Sequence, residues 1–225
     1  MEVPETFLEI INNRHCQRAF TKDPVPRPLL EAILAAAAQA PSSKNTQPWQ
    51  VAVVTGATRD RLATALCAAY DAREPMVPDY TYTPDPDPPG FRERARACGF
   101  ALFDLKGIDP SDHDARRAHG RENFIFFGAP VELVFHLPRG AERGNFLDLG
   151  MFMQNVMLSL VAAGLGSCPQ ASVAGYPDVI RQELDLTADR LIVAGMAVGR
   201  PDTSAIVNTF VPERLPMVEY VQWHE

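Results

Sequence analysis

The chain has 225 residues, 46% of them apolar and 22% charged, the profile of a folded globular protein and not of a disordered or fibrous one. Lys and Arg number 21 against 28 Asp and Glu, a formal charge of -7, and no basic run appears, which argues against nucleic acid as the main partner. Four scattered cysteines, an acidic start and the lack of any uninterrupted apolar stretch of about 18 residues point to a cytoplasmic protein that does not enter a membrane.

In chain order, Phe7, Ile10 and Ile11 recur at helical spacing. Pro28 suits the opening turn of a second helix with a stripe of Leu29, Ile33, Ala36, Ala37 and Ala40, which Pro41 stops. Residues 50–54, QVAVV, read as a buried strand, and Thr58 as the cap of a helix carrying Leu62, Ala65, Leu66 and Ala69. The segment Glu74 to Gly90 holds six prolines, too many to continue a helix or a sheet ladder. It reads as a long surface loop, either a lid or a plain excursion.

Beyond it the pattern predicts a helix from about Phe91 to Leu105 and another from about Asp112, with Ser111 and Asp114 at capping-box spacing. The strand VELVFHL follows Pro130. Leu147 to Ala163 is apolar almost all round, so both of its faces are expected to be buried, by the sheet and a second subunit or within one chain. Gly164 and Gly166 end that helix, GSCPQ leaves extended, Pro177 starts a short helix and RLIVAGMAVG forms the last interior strand. About four strands scattered among seven or so helices favour an α+β layered fold, with residues 1–225 as a single domain.

GxxxxGK[ST], HExxH, GxSxG and a complete GxGxxG are all absent, so neither a P-loop nor a Rossmann turn is available. The five histidines never fall at metal-ligand spacing with another His or Cys, and no metal site is expected. Two polar clusters remain. Arg14, His15, Cys16, Gln17 and Arg18 set two guanidinium forks around short polar residues, suited to an anion, although a solvated helix end explains them equally well. Pro41 to Trp49, PSSKNTQPW, offers hydroxyl and amide groups on a tight backbone, or simply a capped turn. Arg214, beside prolines, carries little by itself.

In order and spacing, RHCQR, APSSKNTQPW, LDLGMFMQN and GLGSCPQ resemble the FMN-dependent nitroreductase family nearly end to end. FRERARACGFALFDLKGI, NFIFFGAP and VAGMAVGRP further resemble its nitrobenzoate and nitrophenol reductase branch. The resemblance implies a three-layer α-β-α sandwich with a mostly antiparallel central sheet, an intertwined homodimer, and FMN at the interface. It implies hydride passage from NAD(P)H through flavin N5 to a small nitroaromatic or quinone-like acceptor. The superfamily also admits reductive dehalogenation or flavin binding without turnover.

By the same resemblance, Arg14, His15, Cys16 and Arg18 line one side of FMN, Arg14 toward the phosphate and Arg18 toward N1 and O2. Pro41, Ser42, Ser43 and Asn45 reach it from the other subunit, Asp148 approaches the partner's flavin, and Arg214 closes on the phosphate. Pro169, Gln170, Ala171 and Ser172 run along the ring, with the Ala171 or Ser172 amide facing N5. Two residues depart from the pattern: Cys16 stands where Ser is common, and Ala171 where some relatives have Glu.

Overall fold

The computed structural model describes residues 7–225. In chain order these form α1 (Phe7–Asn13), α2 (Arg27–Ala37), β1 (Gln50–Thr55), α3 (Gly56–Asp71), α4 (Phe91–Leu105), α5 (His113–Arg121), β2 (Val131–Pro138), α6 (Arg143–Ala162), β3 (Gly166–Gln170), α7 (Pro177–Leu184) and β4 (Arg190–Gly199). The strands join in the order β1-β2-β4-β3, every pair antiparallel, so the expected α+β fold with an antiparallel sheet is present.

Side chains alternate across a pleated strand, and β2 uses the alternation to divide two cores. Val131, Leu133, Phe135 and Leu137 pack with α2 and α6 residues such as Leu30, Phe152 and Val156, while Val134 packs with Leu62 and Leu66 of α3 and Ile180 of α7. On β4 the alternation holds only because of a bulge. Phe135 pairs with Ala194 and His136 with Ile192, so Val193 is an extra residue, and the added residue restores Leu191 and Val193 to the face that also buries Met196 and Val198.

The proline-rich segment supplies what the bulge lacks. β3 pairs β4 only from Gly195 onward. Past that point the Ile192 amide donates to Asp79 Oδ2 (2.9 Å) and Tyr80 Oη donates to the Val193 carbonyl (2.8 Å). Asp79 in turn accepts from Arg181 at 2.6 and 3.1 Å and from Arg139 at 3.3 Å. The segment is therefore a surface loop over much of its length but is sewn to the sheet at Asp79 and Tyr80.

Several sequence expectations shift. β1 is an edge strand, not a buried one: only Val54 is buried, and Val53 is 43% exposed. α3 begins at Gly56 with Thr55 as its cap, ahead of Thr58. α5 is capped by Asp112, whose Oδ1 accepts from the Asp114 and Ala115 amides, and not by Ser111. α6 starts earlier than Leu147 because Asn145 Oδ1 accepts from the Glu142 amide and closes its first turn. Along α6, Leu149, Phe152, Val156 and Leu160 are buried, but Leu147 is 67% exposed. Within one chain, then, only one face of this helix is covered.

Candidate functional site

Residues 14–18 leave α1 and run beside β3. Cys16 bridges Ser167 in parallel, and the Gln17 amide donates to the Ser167 carbonyl at 3.0 Å. The approach depends on Gly166, where a Cβ would stand 2.6 Å from Gln17 Cγ and 2.7 Å from Pro201 Cγ. On the other side, Asn208 Oδ1 accepts from the Arg18 and Ala19 amides (2.7 and 3.1 Å), and its Nδ2 donates to the Ala19 carbonyl (2.8 Å). The His15 ring spans the Asn13 and Asn208 carbonyls at 2.9 and 3.0 Å. Asn208 belongs to no motif, so sequence reasoning has no signal by which to find it.

These contacts use the backbone and the imidazole and leave the guanidinium groups. Among the described residues no carboxylate pairs with Arg14 or Arg18, and the Arg18 guanidinium lies 6.0 Å from the Phe210 ring centre. Between them, the Cys16 thiol is brought down to about 6 by a hydrogen bond from Cys168 and by the two arginines, against the opposing pull of burial.

The adjoining strand continues the wall. Gln170 is buried and its Nε2 donates to the Asn123 carbonyl at 2.6 Å, whereas Pro169 and Ser172 are half-buried and Ala171 is exposed. Among the described residues the Ala171 and Ser172 amides have no acceptor, and Gln17 Oε1 and Gln170 Oε1 are buried without partners. Native folds rarely leave such groups unmade.

The second cluster sits elsewhere. Ser42 Oγ accepts from the Gln47 amide at 2.9 Å, as a capped turn requires, and the Ser43 amide donates to Asp148 Oδ1 at 3.2 Å. Asp148 is thus a buried acceptor at the start of α6, and its Oδ2 has no partner. Lys44, Asn45 and Gln47 all take left-handed backbone angles, with φ of 51°, 58° and 46°. Left-handed non-glycine residues are uncommon and concentrate at functional sites. Pro41, Ser43 and Asn45 are exposed. Arg214 is exposed on the tail, facing the Pro212 and Glu213 carbonyls at 3.5 and 3.4 Å, beside Arg94 and Cys98. The structure therefore joins residues 14–18 with 167–172, and residues 41–45 with Asp148. Among the described residues no hydrogen bond links the two groups or brings Arg214 to either.

The first wall is a set of donors: two guanidinium groups that no carboxylate among the described residues pairs, and two open amides. It matches a ligand that carries an anion and carbonyl acceptors. The Nitroreductase family model matches residues 11–200 of this chain. The chain belongs to the nitroreductase family. It is 38% identical over 219 residues to chloronitrobenzene nitroreductase of Comamonas testosteroni, covering 96% of each. It is 35% identical to 4-nitrobenzoate reductase of Pseudomonas putida, covering 91% of this chain and 89% of that one. A crystal structure of the FMN- and NADPH-dependent nitroreductase NfnB from Sphigopyxis sp. strain HMH superposes with a TM-score of 0.94 at 36% identity, over 98% of this chain and 99% of that one.

For this nitroreductase family member the match takes in both polar clusters and ends before Arg214. Among the described residues no helix is long and apolar enough to cross a membrane, and no group of His, Cys, Asp and Glu could hold a metal ion.

Proposed function

We propose that this chain is an FMN-dependent oxidoreductase that takes hydride from NAD(P)H and delivers it to nitroaromatic or quinone-like acceptors. One observation carries the reading: Arg14 and Arg18, which meet no carboxylate among the described residues, lie on the segment that bridges the strand leading to the open Ala171 and Ser172 amides, in a chain whose relatives are named chloronitrobenzene nitroreductase, 4-nitrobenzoate reductase and FMN- and NADPH-dependent nitroreductase. The donor set fits the flavin. Arg14 would hold the phosphate, Arg18 the N1–O2 edge, and Ala171 or Ser172 the N5 edge, with His15, Cys16, Pro169 and Gln170 shaping the wall.

When bound, FMN supplies a centre that accepts and returns hydride. The protein's part is charge and position. A guanidinium at the N1 edge favours the flavin's anionic reduced form, and a fixed amide orients the reacting edge without reorganisation. No side-chain acid or base is assigned to hydride transfer.

We infer further that the working unit is an intertwined homodimer of three-layer sandwiches. Among the described residues no hydrogen bond joins Ser42, Ser43, Asn45, Asp148 or Arg214 to the Arg14–Arg18 wall of their own chain, which suits a role at the partner's flavin. Apolar side chains that one chain leaves in water support this: Leu8 is 69% exposed on α1, and Val218 and Trp223 are 82% and 78% exposed on the tail.

The test is spectroscopic. Purified protein is expected to be yellow, to bleach with NADPH under argon, and to recover its colour on addition of 4-nitrobenzoate. A colourless protein that takes up no FMN would falsify the reading, and elution of the flavin-loaded protein as a single chain would remove the shared site.

A further inference from the structure

Glu132, on β2, is fully buried, and neither of its carboxyl oxygens has a hydrogen-bond partner among the described residues. It lies on the sheet face that carries Val134, Ala197 and Cys168. On that face Gly195 leaves a gap. A Cβ built there would collide with Glu132 Oε1 and stand 3.0 Å from Val173 Cβ and Cγ1, so the carboxyl fills the space that the missing side chain frees. Gly195 pairs directly with Gln170 of β3, whose side chain rises on the same face. Gln170 Nε2 donates to the Asn123 carbonyl at 2.6 Å, which fixes the orientation of the amide and leaves Oε1, also buried and without a partner, as an acceptor. Three buried oxygens on adjoining strands thus lack a donor.

No cation answers them. Arg59 and the Met196 amide face Glu132, but the guanidinium donates to Asp60 Oδ1 at 2.9 Å and to the Ile125 carbonyl at 2.8 Å and lies over the Phe126 ring. Neither its Nε nor the Met196 amide makes a hydrogen bond to the carboxyl, and among the described residues no ion pair reaches it. An ionised carboxylate with neither exposure nor counterion is strongly disfavoured, and burial pushes this one well above the ordinary carboxylate range. A protonated carboxyl carries the donor that the set lacks. The place matters because Gln170 and Val173 flank Ala171 and Ser172, whose amides stand open.

We propose that Glu132 is a positioning residue, whose carboxyl proton is donated to Gln170 Oε1 and whose body fills the gap over Gly195, holding the Ala171–Ser172 turn still from behind. The role rests on the flavin reading, in which that turn faces the N5 edge. Glu132 itself touches neither flavin nor substrate, and its proton stays in place throughout.

The flavin-loaded full chain is examined by infrared spectroscopy at about pH 8, where exposed carboxyl groups are ionised. The spectrum of the parent minus that of Glu132→Gln should contain the carbonyl stretch of a protonated carboxylic acid, shifted in deuterium oxide. A second measurement follows bleaching of the flavin by saturating NADPH. Glu132→Leu fills the space without a donor and should slow bleaching about tenfold, with FMN content and melting temperature no lower than in the parent. Glu132→Gln restores an N–H and should recover the rate, while Gly195→Ala, which displaces the carboxyl, should be as slow as Glu132→Leu. Absence of the protonated band overturns the proposal. So does parental bleaching in Glu132→Leu, equal slowing in Glu132→Gln, or a rate that falls only together with melting temperature. Flavin content is read from absorbance and the proton from the infrared band. A colourless protein removes the flavin reading and the N5 role with it, whereas a yellow protein without the band removes the role of Glu132 alone.

Discussion

Two polar regions of this molecule are built from the same kinds of residue and come out differently. Around Asp79 every charge is answered: Arg181 donates to both of its oxygens and to Asp178, Arg139 joins from β2's end, and the Ile192 amide completes the set. Around Arg14 and Arg18 the backbone is fully engaged through Ser167 and Asn208, yet the guanidinium groups meet no carboxylate among the described residues. Charges that serve the fold bring their own counterions. Charges left without a carboxylate are the ones the proposed flavin site would use.

The contrast is broken most decisively at Asp79. Asp79→Ala strips a buried partner from Arg181 and the bulge amide, and urea unfolding should show a loss of about 3 to 5 kcal/mol. Acid should erase part of that difference. Burial pushes the Asp79 carboxyl up, but the Arg181 hydrogen bonds and the Ile192 amide outweigh it and hold the group below its ordinary 3.8. The ionised form therefore stabilises the fold above that value, and the contribution fades as pH falls through the lower folded pKa. Wild type and Asp79→Asn should converge as pH drops below about 4; a gap that is constant with pH would count against the pairing.

On the other side, Arg14→Ala and Arg214→Ala are each expected to weaken FMN retention by about 2 to 5 kcal/mol, read by flavin fluorescence during dialysis. Stability of the flavin-free protein should move by no more than about 0.5 kcal/mol. If Arg14→Ala instead unfolds the protein and spares the flavin, the two regions have been assigned the wrong way round. The smallest effect belongs to Tyr80→Phe, which removes one hydrogen bond to the bulge carbonyl and should cost about 1 kcal/mol in the same unfolding assay.

Local pattern carried much of this structure. The span Phe91–Leu105 was readable from its periodicity because Gly90 and the preceding prolines fix its start. Proline at the first turn of α7 and the uniformly apolar β4 were readable for similar reasons. What escaped depends on distant neighbours. The composition of β1 suits a central strand, and only its place at the end of the order β1-β2-β4-β3 exposes it. The bulge at Val193, and the mooring of Asp79 and Tyr80 to it, join residues that no local spacing relates.

The candidate wall shows the same division. Its arginines and its extended strand were visible as motifs. The role of Asn208 was not, because it depends on how residues 14–18 lie against β3 and the tail. Gly166 makes that approach possible, whereas the sequence alone marks it as a helix stop within GLGSCPQ.

The mooring of Asp79 and Tyr80 has one more consequence. At the far end of the proline-rich segment, the Phe91 amide bonds the Pro88 carbonyl and Arg92 reaches Asp87, so the chain is also pinned where α4 begins. The stretch from Thr83 to Asp85 between these two pins supports nothing in the sheet. Extra residues grafted there would lengthen the loop without touching the frame, which makes this the position where insertions into the scaffold are best tolerated.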